Sequence, residues 1–280
     1  MSADPGLLRF SPRRVGVLAE HAFREAVRQR VFQFTTLLAA VLVLGSLGLR
    51  ELDFGGAELK FVADFGHGAL VLFGSVLTII TTVHLLGGEL EHRTLLPVLA
   101  RPVRRSEVLC GKFLGAWAVA VVFCSVVTAL LLLALWLRAA DAVAGEAPAG
   151  AAGAAAPYAV VLLGGALQAV KFGLLTAMVL LVASYAQTSL FAQASSFLLL
   201  VICHLQHLAR EAWQAGGGWA ARLGGGLIGL VFPNFQVFGG ELAISEAANL
   251  GLAGRVAAYG ALYTAVFLGL AVWSFRRREI

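Results

Sequence analysis

The chain has 280 residues, of which 59% are hydrophobic and only 13% charged, with a mean hydropathy of +0.85. Soluble domains are roughly 45–50% apolar, so this composition excludes an ordinary soluble globule and points to a polytopic membrane protein. The formal net charge of +5 reads here as orientation and lipid contact rather than nucleic-acid binding.

Residues 1–11 read as a tail. Residues 15–30 are amphipathic at helical spacing: Val15, Leu18, Ala22, Ala26 and Val27 share a face with Phe23 at its edge, while Glu20, Arg24, Glu25 and Arg28 point elsewhere. A basic amphipathic helix just before a span is predicted to lie in the membrane interface. Residues 31–49 form the first apolar run. It starts after a long charged segment and outlasts a signal h-region, so no cleavable signal peptide is expected. A polar loop at 50–65 carries Glu51, Asp53, Glu58 and Asp64. The second run, 66–88, holds Ser75, Thr78, Thr81, Thr82 and His84, whose hydroxyls either line a bundle interior or bond back to their own helix.

Residues 89–112 are a strongly basic insert between two spans. Its cations are Arg93, Arg101, Arg104, Arg105 and Lys112, and its acids are Glu89, Glu91 and Glu107. A charged segment held between two spans lies at one membrane face, and a Lys/Arg excess marks that face as cytoplasmic. Leu95, Leu96, Val98 and Leu99 make a short apolar patch, and Pro97 and Pro102 interrupt any helix that includes them. The expected form is a short interfacial helix, a break near Arg101-Pro102, and a second start at Ser106-Glu107.

The third run is 113–137, followed by an Ala/Gly/Pro-rich outer loop without periodicity. The fourth and fifth runs, 158–183 and 190–209, are separated by a tight turn at 184–189. Residues 210–254 form the longest connection. The apolar stretch 219–238 within it carries Arg222, a triple glycine and Pro233-Asn234, and reads as a re-entrant or interfacial hairpin on the outer face. The sixth run is 256–275, and the end is basic: Arg276, Arg277, Arg278. The inner segments then hold Arg9, Arg13, Arg14, Arg24, Arg28, Arg30, the five central-loop cations and the terminal arginines. The outer ones hold Arg50, Lys60, Arg138, Arg210, Arg222 and Arg255. That asymmetry supports six spans with both termini cytoplasmic, in a single all-α membrane domain over residues 1–280.

Three sub-motifs fall in register across the central insert: Glu89-Leu-Glu-His-Arg-Thr94, Arg101-Pro-Val-Arg-Arg105 and Gly111-Lys-Phe-Leu-Gly115. Together they resemble the ABC type-2 permease family, as do Phe232-Pro-Asn-Phe235 and the basic terminus. The resemblance implies a coupling helix between spans 2 and 3 and an elbow helix at 15–30. It implies a separate ABC ATP-binding subunit that carries ATP and Mg, with no cofactor on this chain, and pairing as a homodimer or with a sister permease. It also implies export across the plasma or inner membrane. Carried over residue by residue, Glu89, Glu91, Arg93, Thr94, Arg101, Pro102 and Arg105 contact or position the ATPase.

No G-x-x-x-x-G-K-[ST] phosphate loop occurs, so the chain is not itself expected to hydrolyse ATP. Lys171, with Gln168 one turn before it, sits mid-span without an intramembrane acid. It is either a pathway residue contacting anionic substrate, or a lysine that snorkels or bonds to carbonyls and hydroxyls. His204-x-x-His207 puts two rings on one helical face, with His84 a conceivable third ligand, but two histidines alone make a poor metal site and no metal is expected. Cys110, Cys124 and Cys203 are scattered and imply neither a disulfide framework nor a zinc site. The competing classes are an ion-gradient secondary transporter, which calls for midplane acids, and an intramembrane metalloenzyme.

Overall fold

The computed structural model describes residues 11–51, 58–88, 104–143, 158–215, 226, 229–239 and 250–277. Within them the chain is helical and has no strand. Helix α1 is Pro12–Val27 and α2 is Arg30–Gly45, continued by a 3-10 turn at Ser46–Glu51. Helix α3 is Glu58–Val83 and ends in a π-turn at His84–Gly88. Helix α4 is Arg105–Val143, α5 is Tyr158–Tyr185, α6 is Ser189–Ala215 and α7 is Leu250–Arg277. Six of these, α2 to α7, are long and apolar enough to cross a membrane. The protein is thus a multi-pass all-α membrane protein.

The helices divide into a core and a shell. In α5, 72% of the most apolar window is buried, and in α3 67%, against 22% in α2 and α6 and 17% in α7. The shell helices expose apolar stripes at helical spacing, such as Phe34, Leu37 and Val41 on α2 and Leu262, Val266 and Leu270 on α7. Acyl chains solvate such stripes without cost, whereas water does not. Small residues set the core spacing. At Gly74 of α3 an added Cβ would collide with the Phe172 ring of α5, and at Gly165 of α5 with the Thr128 side chain of α4. Close approach is the main source of helix association in lipid, where burial of apolar surface gives little net drive.

Inter-helix contacts fix which helix ends lie together. Gly87 lies beside Ser189, the start of α6. The Ser184 hydroxyl of α5 donates to Ser274 of α7 at 3.0 Å. The Lys112 ammonium of α4 donates to the Leu85 carbonyl in the π-turn of α3. At the opposite end Arg138 of α4 donates to the Leu47 carbonyl after α2, at 2.8 Å. The spans therefore alternate in direction, with the end of α3, the start of α4, the end of α5, the start of α6 and the end of α7 at one face.

Helix α4 exceeds its apolar run. It begins at Arg105, in keeping with the helix start expected at Ser106-Glu107, and its 39 residues span about 58 Å, nearly twice the roughly 30 Å of hydrocarbon. The extra turns are stable because α1 covers them. Ser11 meets Glu107, Leu18 meets Gly111 and Ala22 meets Gly115, so α1 runs parallel to the first turns of α4.

Candidate functional site

Two places concentrate polar side chains. The first is the helix-end face from which residues 89–103 emerge. The segment Glu89, Glu91, Arg93, Thr94, Arg101 and Pro102 lies outside the described residues. Its two anchorages lie within them. On the near side, the π-turn His84–Gly88 leaves carbonyls that α-helical bonds no longer use, and buried Lys112 caps one of them at Leu85. On the far side, Arg105 opens α4 and Glu107 stands at its third position. The Glu107 carboxylate is fully buried and accepts the Arg104 amide at 3.0 Å, the Ser11 amide at 2.8 Å and the Arg14 guanidinium at 3.4 Å.

The Gly111-Lys-Phe-Leu-Gly115 motif now has a physical reading. Both glycines face α1. A Cβ at Gly115 would lie 2.8 Å from the Ala19 carbonyl oxygen and 3.0 Å from the Phe23 amide nitrogen. The lysine between them points to α3. One stretch of α4 therefore seats α1 on one side and closes α3 on the other. The small-residue spacing was legible as a helix-packing signal, and a glutamate three residues into a helix as a capping acid. Neither signal names the partner helix.

The second place is the middle of the bundle. Gln168 and Lys171, one turn apart on α5, are both buried. The Gln168 amide nitrogen donates to the Phe238 carbonyl at 3.0 Å and lies 3.0 Å from the His67 Nε2 of α3. Lys171 Nζ lies 3.2 Å from the His204 Nε2 of α6, while His204 Nδ1 sits 3.0 Å from the Leu200 carbonyl. The tautomer that satisfies both contacts protonates His204 at Nδ1 and lets Nε2 accept from the ammonium. The Phe235 ring lies 5.5 Å from Lys171 Nζ and edge-on to His204, also at 5.5 Å.

Residues 229–239 bring those phenylalanines in. The 3-10 turn Phe235–Phe238 buries both rings in the bundle, so this segment is re-entrant. Pro233 and Asn234 make the turn: the Asn234 carboxamide oxygen accepts from Gln236 N–H at 2.9 Å. Two tyrosines one turn apart on α7 hold it. Tyr259 OH accepts from Asn234 N–H at 3.0 Å, and Tyr263 OH donates to the Leu230 carbonyl at 3.1 Å. Gly260 lies between them, open to the Phe238 ring.

Of the other polar candidates, the hydroxyls of Thr81 and Thr82 are buried and have no hydrogen-bond partner among the described residues. Ser75 and Thr78 bond back to Val71 and Gly74 of their own helix. His207 Nδ1 lies 3.0 Å from the His204 carbonyl. His84 is exposed in the π-turn, whose Gly87 lies beside Ser189 at the start of α6, and His204 is fifteen residues, or about 22 Å of helix, beyond Ser189. Among the described residues no three His, Cys, Asp or Glu side chains gather as metal ligands.

A family described as ABC-2 family transporter protein matches residues 17–214, more than half of the chain. No curated protein matches the sequence. The matched region runs from α1 through the central insert to the end of α6, so it includes five of the six membrane-crossing helices and both anchorages of residues 89–103. The chain belongs to the ABC-2 transporter family and is a membrane-spanning permease subunit of an ABC transporter.

Proposed function

We propose that this subunit forms the transmembrane pathway of an exporter driven by a separate ATP-binding subunit, with ATP and Mg held on that partner. Residues 89–105 are its contact: Glu89, Glu91, Arg93, Thr94, Arg101, Pro102 and Arg105 dock to or position the ATPase, with both chain termini at the cytoplasmic face of the plasma or inner membrane. Two such subunits, identical or sister permeases, enclose the path. The observation that carries this reading is the anchorage of the insert: one end is capped by Lys112 and the other by Glu107, and Glu107 also binds α1. A push on residues 89–103 is thereby delivered to α3, α4 and α1 together.

The test is a pull-down of the tagged subunit from gently solubilised membranes, with mass spectrometry of its companions. Stoichiometric recovery of a P-loop ATPase, lost when Glu91 and Arg93 are both changed to alanine at equal membrane abundance, is the expected result. Recovery of the chain without an ATPase, or coupled transport unchanged in that variant, overturns it.

A further inference from the structure

We propose that Lys171 and Gln168 form a mid-membrane site for the head group of an amphipathic monoanion: a carboxylate or phosphodiester with a hydroxyl or N–H donor beside it, on an apolar tail. This rests on the reading of the chain as a transport subunit and names the chemistry of its cargo.

Four observations support it. Lys171 is 2% exposed, and among the described residues no carboxylate lies within ion-pair distance of it. An ammonium has three donors, whereas its contacts here are the His204 Nε2 and the Phe235 ring face. A mid-bilayer cation in this state is costly, and an anion offsets that cost more fully than an imidazole nitrogen or a ring does. Second, the Gln168 amide is fully buried, and its nitrogen is committed to Phe238 and His67 while its oxygen accepts from nothing. A buried acceptor without a donor is a standing cost that a ligand hydroxyl or N–H relieves. Third, the titratable side chains that interact with Lys171 among the described residues are His67, Cys124 and His204, none of them a carboxylate, which leaves room for one negative charge. Fourth, the neighbouring rings are Phe235 and Phe238, both fully buried, which suits a hydrocarbon body.

The re-entrant turn covers the site. Phe235 occupies the ring face over Lys171 and Phe238 supplies the carbonyl that holds Gln168. Withdrawal of this one turn uncovers Lys171 on its Phe235 side and releases Gln168 from the Phe238 carbonyl, while His204 and His67 stay beside them, and the ligand takes the place of Phe235.

The experiment measures binding to the purified transporter in nanodiscs of neutral phosphatidylcholine, without nucleotide. The probes are N-oleoylglycine, which has a carboxylate next to an N–H, and N-oleoylethanolamine, which lacks the charge. The wild type is expected to bind N-oleoylglycine saturably, at least about tenfold tighter than the neutral probe, and Lys171→Met to lose that preference while Lys171→Arg keeps it. Native mass spectrometry of protein purified from its own membranes separates the sources. Anionic phospholipid retained by the wild type and lost from Lys171→Met assigns a lipid head group, and the probe preference without retained lipid assigns a free organic anion. Equal affinity for the two probes in the wild type overturns the site, and that comparison needs no folded variant. Because binding is read without ATP, its failure is separate from failure of the ATPase pull-down.

Discussion

Glu107 and Ser11 are separated by 96 positions in sequence, yet the Glu107 carboxylate accepts the Ser11 amide hydrogen at 2.8 Å while its other oxygen accepts the amide of Arg104 at 3.0 Å. One buried acid thus does at two helix starts what a capping-box glutamate does at one. It joins the N-terminus of α1 to the N-terminus of α4, directly after residues 89–103.

Glu107→Gln keeps one acceptor oxygen but loses the charge and leaves one amide short of a partner. The expected loss is about 1–3 kcal/mol, read as a fall of several degrees in the unfolding temperature of the purified protein. Trypsin should also cut sooner at the exposed arginines of α1, Arg13 and Arg24. An unchanged melting curve and digest would mean that glycine packing alone holds α1.

Gly115→Leu places a side chain against the Ala19 and Phe23 backbone, neither of which can rotate away as a side-chain tip can. It should displace α1 and accelerate the same cleavage. Gly269→Ala on α7 is the control. Nothing lies within 4 Å of its Cβ, and alanine should raise stability by up to about 1 kcal/mol through helix propensity. Equal melting temperatures for the two variants would refute the packing role.

Lys112→Met retains the volume but leaves the Leu85 carbonyl without the ammonium. The amides of residues 84–88 should exchange with deuterium at least severalfold faster, since the π-turn loses its cap. Exchange at the wild-type rate would show that the turn closes on itself.

Phe238→Ala removes a fully buried ring from between α5 and α7 and should cost about 3–5 kcal/mol. Gln168→Leu leaves the Phe238 carbonyl unpaired and should cost about 1–3 kcal/mol. If the turn leaves the bundle when its ring is lost, the second change costs little in the background of the first. Strict additivity in thermal unfolding would mean that the turn stays seated without Phe238.

Much of the architecture was legible because a bilayer imposes a simple rule: backbone groups must be paired within a span, so about twenty apolar residues mean a helix. The six spans and their alternation followed from that rule with charge placement. Of the hairpin at 219–238, read as re-entrant or interfacial, residues 219–225 and 227–228 lie outside the described residues, and the burial of Phe235 favours the first form. Not every helix end was as legible. Helix α3 begins at Glu58, inside the stretch 50–65 that composition marks as a loop, whereas the start of α4 at Arg105 was legible in Ser106-Glu107 although its cover by α1 was not. Lys171 stood out in sequence as a mid-span charge, but its partners His204 and Phe235 lie 33 and 64 positions away, and His67 never announced itself.

The residues alone determined that this protein crosses a membrane six times, to which family it belongs, and which insert is charged, since each depends on local composition or on residue order. Only the tertiary structure decided that Gly111 and Gly115 seat α1, that Lys112 closes α3, and that one re-entrant turn covers Lys171 and holds Gln168. Those are contacts between helices, and the helical period shows which residues share a face without showing which neighbour that face meets.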